Sequence, residues 1–142
     1  MADDGGLSRI QQRLNAIPNL LRERMKVVTL EEANKLADDM RTFALSSKAT
    51  GRLIESITVT AAGKTTPPYS QPGGSTVVPE NAAMVTAGNA EVRYPHLVEY
   101  GTKKAHAQPF FWPAVRINKR RTLSRIRREI GKTVRANWGA PK

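Results

Sequence analysis

The 142-residue chain carries 23 Lys and Arg against 12 Asp and Glu, a formal charge of +11, with 39% hydrophobic residues, 25% charged residues and no cysteine. This predicts one small α+β domain and excludes disulfides and thiolate metal sites, a composition that suits a reducing cytoplasm. The positive excess attracts polyanions by counterion release and steering, so nucleic acid, an anionic membrane surface or an acidic protein surface are the partner classes it admits.

The first residues, Met1 to Gly6, are acidic and lack an apolar signal core. No run of about 18 apolar residues follows, so no membrane-spanning helix is expected. Between residues 7 and 28, Ile10, Leu14, Ile17, Leu21 and Val28 recur at helical steps. Pro18 interrupts them and predicts a kink or break, because proline inside a helix costs about 3 kcal/mol. Thr29 and Glu32 have capping-box spacing and predict the start of a second helix. Ala33, Leu36, Ala37, Met40, Phe43 and Ala44 form its apolar face, and Ser46 and Ser47 end it. Residues 1–46 are thus expected to hold two helices.

Thr50-Gly51 marks a turn. Leu53, Ile57, Val59 and Ala61 then alternate with Ser56, Thr58 and Thr60, which predicts a half-buried strand over Leu53–Ala61. Its first residues also suit a helical turn. Residues 62–81 are broken by Gly63, Pro67, Pro68, Pro72, Gly73, Gly74 and Pro79 and read as a long functional or mobile loop. Two strands, 82–87 and 90–94, are predicted to form a hairpin about Gly88-Asn89. Pro95 and Gly101 bracket a short helical turn, His96 to Tyr100.

The last helix is expected to start at Pro109 or Pro113 and run to Asn137. Leu123, Ile126, Ile130 and Val134 are its apolar stripe, and Glu129 is the only acid after Glu99. The predicted architecture is α+β: a small antiparallel sheet of three to four strands, packed with two N-terminal helices and a long C-terminal helix. One domain spans 1–142, with helices in 1–46, the sheet and its loop in 47–108, and the basic helix in 109–137.

Catalytic equipment is sparse. Gly63-Lys64-Thr65 resembles the end of a phosphate-binding loop, but Thr58 occupies the position of its first glycine. His96 and His106 are the only histidines, with Glu99 the one acid near His96, too few for a metal site. No Gly-x-Ser-x-Gly elbow exists. Glu31 and Glu32 suit capping and the helix dipole. The expectation is no enzyme, no cofactor and no metal.

The basic helix has two readings. One is a solvated face whose long stems cover apolar neighbours. The other is a surface for DNA or an acidic partner, formed by Arg120, Arg121, Arg125, Arg128, Lys132 and Arg135. Phe110, Phe111 and Trp112 cluster before the basic run instead of interleaving with it, and no zinc finger, RNP pattern or KH loop is present.

Two stretches carry a recognisable order. The first is Thr50-Gly51-Arg52-Leu53-Ile54-Glu55-Ser56-Ile57. The second is Tyr94-Pro95-His96-Leu97-Val98-Glu99-Tyr100-Gly101-Thr102, followed by Ala107-Gln108-Pro109-Phe110-Phe111-Trp112-Pro113-Ala114. Together they resemble the gene-ten-like tail-component family of lambda-like long-tailed phages. Pro95 departs from that pattern, which usually has a small residue there, and the 62–81 loop is longer. The resemblance implies a non-enzymatic virion protein of the neck, which completes the tail or joins head to tail between head connector and tail tube. It implies a homo-oligomeric ring, expected as a hexamer, in contact with a head-side stopper or adaptor and with the tail tube or terminator. Genomic DNA in the lumen is a further expected contact, and a membrane is not. The location implied is the virion neck, after assembly in the host cytoplasm. Tyr69, Tyr100 and Trp112 are the residues assigned to the subunit or partner interface. The alternative is a sequence-independent nucleic-acid-binding protein that uses the Arg-rich helix.

The residues themselves also specify local geometry. Gly101 allows a positive φ at the exit of the short turn, and Thr102 suits a bond back to the preceding backbone. Phe110 is expected in the core, and Trp112 at an interface.

Overall fold

The computed structural model describes residues 6–46 and 51–138. Its longest element, α1, is a single helix of 40 residues, Leu7–Ser46, about 60 Å long. The predicted break at Pro18 is absent. Pro18 lies on an exposed stretch, where solvent can serve the carbonyl that loses its donor. Nor does Thr29 start a second helix. Its hydroxyl donates to the Met25 carbonyl one turn back (2.6 Å), as a mid-helix threonine does. Glu32 is turned to the C-terminal helix instead of to a cap. The two expected N-terminal helices are therefore one. The predicted helix end at Ser47 and the turn residue Thr50 lie outside the described residues.

Helix α2, Gly51–Glu55, replaces the first half of the strand predicted over Leu53–Ala61. Only Thr58–Thr60 is extended, as β1. It pairs antiparallel with β2, Met84–Thr86, in the register Thr58↔Thr86, Val59↔Val85 and Thr60↔Met84. The sheet thus has two strands among the described residues, fewer than the three to four expected. The hairpin about Gly88-Asn89 does not form. The Asn89 side-chain carbonyl accepts the N–H groups of Glu91 and Val92 (both 2.9 Å). That local turn curls residues 90–94 towards the next helix and removes them from pairing.

Residues 62–81 are bonded to one another. Gly63 donates to Val78 and Val78 to Lys64 (both 2.9 Å), and Thr66 donates to Thr76 (2.8 Å). The buried Thr66 hydroxyl donates to Gly74 and accepts from Thr76. Isolated bridges Thr65↔Val77 and Gln71↔Ala87 tie the segment to itself and to the end of β2. It needs no neighbour to give it order.

The short helix α3, Pro95–Tyr100, and the long helix α4, Phe111–Trp138, match expectation. α4 packs antiparallel along α1: Asp39 meets Asn118, Glu32 meets Arg125 and Arg24 meets Glu129. The core lies where Ala37, Met40 and Ala44 of α1 meet Leu53, Ile57, Val85, Phe110 and Ala114. Small residues on α1 let the sheet and the start of α4 approach closely.

Candidate functional site

The α3–α4 junction unites the two motif segments, 94–102 and 107–114. α4 has no acid in its own first turn, yet a helix N-terminus leaves backbone donors without partners. Glu99 supplies the acceptor from α3. One carboxylate oxygen accepts from Phe110 (2.8 Å) and Phe111 (3.0 Å), and the other from Trp112 (3.1 Å). The side chain is buried, so these bonds and the helix dipole replace its hydration.

The loop between the helices is equally determined. Gly101 has φ of 77°, and a Cβ there would stand 2.6 Å from the Ala107 nitrogen. No other residue fits without moving backbone. Gly101 donates to Leu97 and Thr102 to Ala105 (both 2.9 Å), and Gln108 donates to Val98 (2.8 Å). Instead of the expected bond back to the preceding backbone, the Thr102 hydroxyl oxygen accepts from the N–H groups of Lys104 and Ala105, which follow it. Phe110 is buried as expected.

Tyr100 and Trp112 project from this junction. The Trp112 indole N–H donates to the Tyr100 phenol oxygen at 2.9 Å, and its ring meets Phe111 edge-on at 5.0 Å. Both remain exposed, Tyr100 at 70% and Trp112 at 38%. Trp112 also walls an apolar groove of about 400 Å³ bounded by Leu36, Val85, Val115 and Ile126. The structure therefore brings together two of the three residues predicted for an interface. Tyr69 stands apart in the 62–81 segment, at φ of 63°. The Arg93 guanidinium covers its ring, 3.8 Å from the centroid.

The basic helix is two-sided. Arg125, predicted to face DNA or an acidic partner, turns inward and binds Glu32 (2.8 Å) and Glu31. This corrects its assignment: a carboxylate pair on α1 faces it, and Glu32 is almost fully buried. Burial pushes the Glu32 carboxyl up, but hydrogen bonds and charge from Arg125 and Lys35 outweigh it and hold the carboxyl below its ordinary value. Hydrogen bonds to Glu32 and Glu31 hold the Arg125 guanidinium above its ordinary value. Arg24 on α1 bonds Glu129 at 3.0 Å and holds that carboxyl down against its desolvation. Glu31 and Glu32 thus serve the helix pair, not a cap.

Among the other predicted residues, Arg121 bonds the Asn118 side chain and Lys132 lies 3.9 Å from Glu129. Arg120, Arg128 and Arg135 are exposed. Sequence reasoning left out Arg116, Lys119 and Arg127 as site residues, although all three are exposed on α4. Extending the helical period back from Arg120 finds Arg116.

Lys64 sits in the bridged backbone of the 62–81 segment, where its carbonyl accepts from Val78, and not in an amide cradle. Among the described residues, no group of three His, Asp or Glu side chains is placed to hold a metal ion, and no helix is long and apolar enough to cross a membrane. Comparison with protein-family models, curated proteins and solved structures finds no match to this chain.

Proposed function

We propose that this protein is a structural subunit of a tailed-bacteriophage neck, a ring component that completes the tail or joins head to tail. Its neighbours in that reading are further copies of itself, arranged as a hexamer, a head-side stopper or adaptor, and the tail tube or terminator. The observation that carries the proposal is the mutual dependence of the motif residues. Glu99 in one segment caps the backbone of Phe110, Phe111 and Trp112 in the other. Gly101 permits the chain reversal between them. A resemblance built from such a set reflects a shared folding unit better than scattered matches do. The same unit holds Tyr100 and Trp112 at the surface, and large exposed aromatics of this kind are favoured at protein interfaces.

The test is genetic and structural. Electron microscopy of particles made without this protein should show filled heads and tails that fail to join, or tails of abnormal length. Normal joined particles overturn the proposal. A gene position away from the portal, capsid and tail-tube genes also counts against it.

A further inference from the structure

Helix α4 carries nine Lys and Arg and a single acid, Glu129. Its charge is sorted by direction. The inward groups are matched: Arg125 by Glu31 and Glu32, and Glu129 by Arg24. Arg116, Arg120, Arg127 and Arg128 are exposed, and among the described residues none of them bonds a carboxylate. With 3.6 residues per turn, Arg116, Arg120 and Arg127 fall within about 40° of one line along the helix. Ser124 and Gly131 lie on one side of that line, the exposed Leu123 on the other, and the half-buried Val134 on it. Arg135 folds its guanidinium over Gly131, 3.3 Å from where a Cβ would be. At 1.5 Å per residue the row from Arg116 to Arg135 extends about 28 Å.

We propose that this outer row of α4 binds the sugar–phosphate backbone of duplex DNA without reading sequence. The chemistry favours phosphate, because the row's cations, Arg116, Arg120, Arg127 and Arg135, are all guanidiniums, whose planar fork matches phosphate oxygens. A duplex presents one negative charge per about 1.7 Å of axis, a density that a rigid straight row can follow over its whole length. Trp112 lies one turn before the row, with its indole N–H taken by Tyr100, but between Arg116 and Arg135 no aromatic side chain occurs on which successive bases could stack. An anionic membrane fits less well. A helix lying in a bilayer surface buries a broad apolar face, whereas the exposed apolar side chains of α4, Ile117, Leu123 and Ile130, sit among its arginines. The inference goes beyond the neck assignment and stands on charge placement alone.

The experiment uses the full chain and a labelled duplex of about 30 base pairs, titrated between about 50 and 200 mM salt. The wild type is expected to bind with a steep salt slope. The triple variant Arg116→Gln, Arg120→Gln, Arg127→Gln should flatten that slope by about 2 to 3, near 0.9 for each lost phosphate contact. Each single variant should remove about 1, so the result does not hang on the triple variant folding. Arg→Lys at the three positions should retain the slope. The control triple Lys64→Gln, Lys103→Gln, Lys104→Gln removes the same charge from exposed sites elsewhere and should change the slope by less than about 1. No duplex binding at the lowest salt overturns the proposal, as does an equal effect of the control. So does finding that the row instead governs binding to phosphatidylserine vesicles or polyglutamate while duplex binding is unchanged. Normal duplex binding together with normal particles lacking the protein would remove the neck reading and leave this one intact.

Discussion

Glu99 shows how much one side chain settles. Replacing it with alanine leaves three backbone donors at the start of α4 without acceptors. A buried donor left unsatisfied costs about 1 to 3 kcal/mol, and relaxation exposes part of the set to water. Glu99→Ala is therefore expected to destabilise by about 3 kcal/mol in urea denaturation, with Glu99→Gln recovering part of it. A loss under about 0.5 kcal/mol would show that the cap is dispensable. Thr86 predicts the opposite sign. Its hydroxyl is fully buried and finds no partner among the described residues. Thr86→Val keeps the shape and removes the orphaned group, so a gain of up to about 1 kcal/mol is expected in the same measurement. At this scale, the sequence made the local devices legible. Gly101 and Phe110 behave as their types and positions predict, whereas Thr102 bonds the backbone that follows it and not the backbone before it. The Glu99 cap was hidden because its three partners lie 11 to 13 residues away on another helix. An unexplained acid preceding an acid-free helix start was the only available signal.

The two long helices are joined by polar pairs that flank an apolar seam. Glu32 and Glu129 both have lowered pKa values in the folded chain. A carboxylate lowered on folding contributes stability above its unfolded pKa and loses it as pH falls through the folded value. The α1–α4 pairing should accordingly weaken below about pH 4.5. A thermal melt series from pH 6 towards pH 3 is expected to show a falling Tm, with a shallower fall in Glu32→Gln. An unchanged pH dependence in that variant would show that the Glu32–Arg125–Lys35 cluster is not a source of acid sensitivity. This pairing explains what the element predictions missed. Thr29 and Glu32 have the spacing of a helix start, but besides Lys35 the partners of Glu32 are Thr122 and Arg125 of α4, 90 and 93 residues on. Pro18 reads as a break because its local cost is visible and the continuity of the helix around it is not. α3 and α4 were legible because proline, glycine and helical periodicity are all local. The sheet was overread for the same reason: alternation at Leu53–Ala61 is equally consistent with a short helix feeding a three-residue strand.

For the whole molecule, the ring proposed above requires copies with a charge of +11 each to come together. The antiparallel pairs Arg24–Glu129, Glu32–Arg125 and Asp39–Asn118 set the helix register. Continued to its end, α4 stops level with roughly residue 17 of α1, at 1.5 Å per residue in both helices. Leu7, Ile10 and Leu14 lie beyond that point on one helical face, exposed at 63%, 44% and 51%. The neck reading assigns Tyr69, Tyr100 and Trp112 to contacts between subunits, and we propose that Leu7, Ile10 and Leu14 join them. Those contacts must form against mutual repulsion, which salt screens within a Debye length of about 8 Å at physiological strength. Self-association should therefore strengthen from about 50 to 500 mM salt, where DNA binding by the row on α4 weakens. Light scattering across that range measures the first trend and duplex titration the second. Leu7→Gln, Ile10→Gln, Leu14→Gln and, separately, Trp112→Ala are each expected to reduce association at high salt by about tenfold or more, a loss of about 1.4 kcal/mol. Because these side chains lie outside the buried core, the melting temperature should move by only a few degrees. Association that instead declines with added salt would place the subunit contacts on charge attraction, and remove the apolar stripe and the Trp112 face from the ring interface.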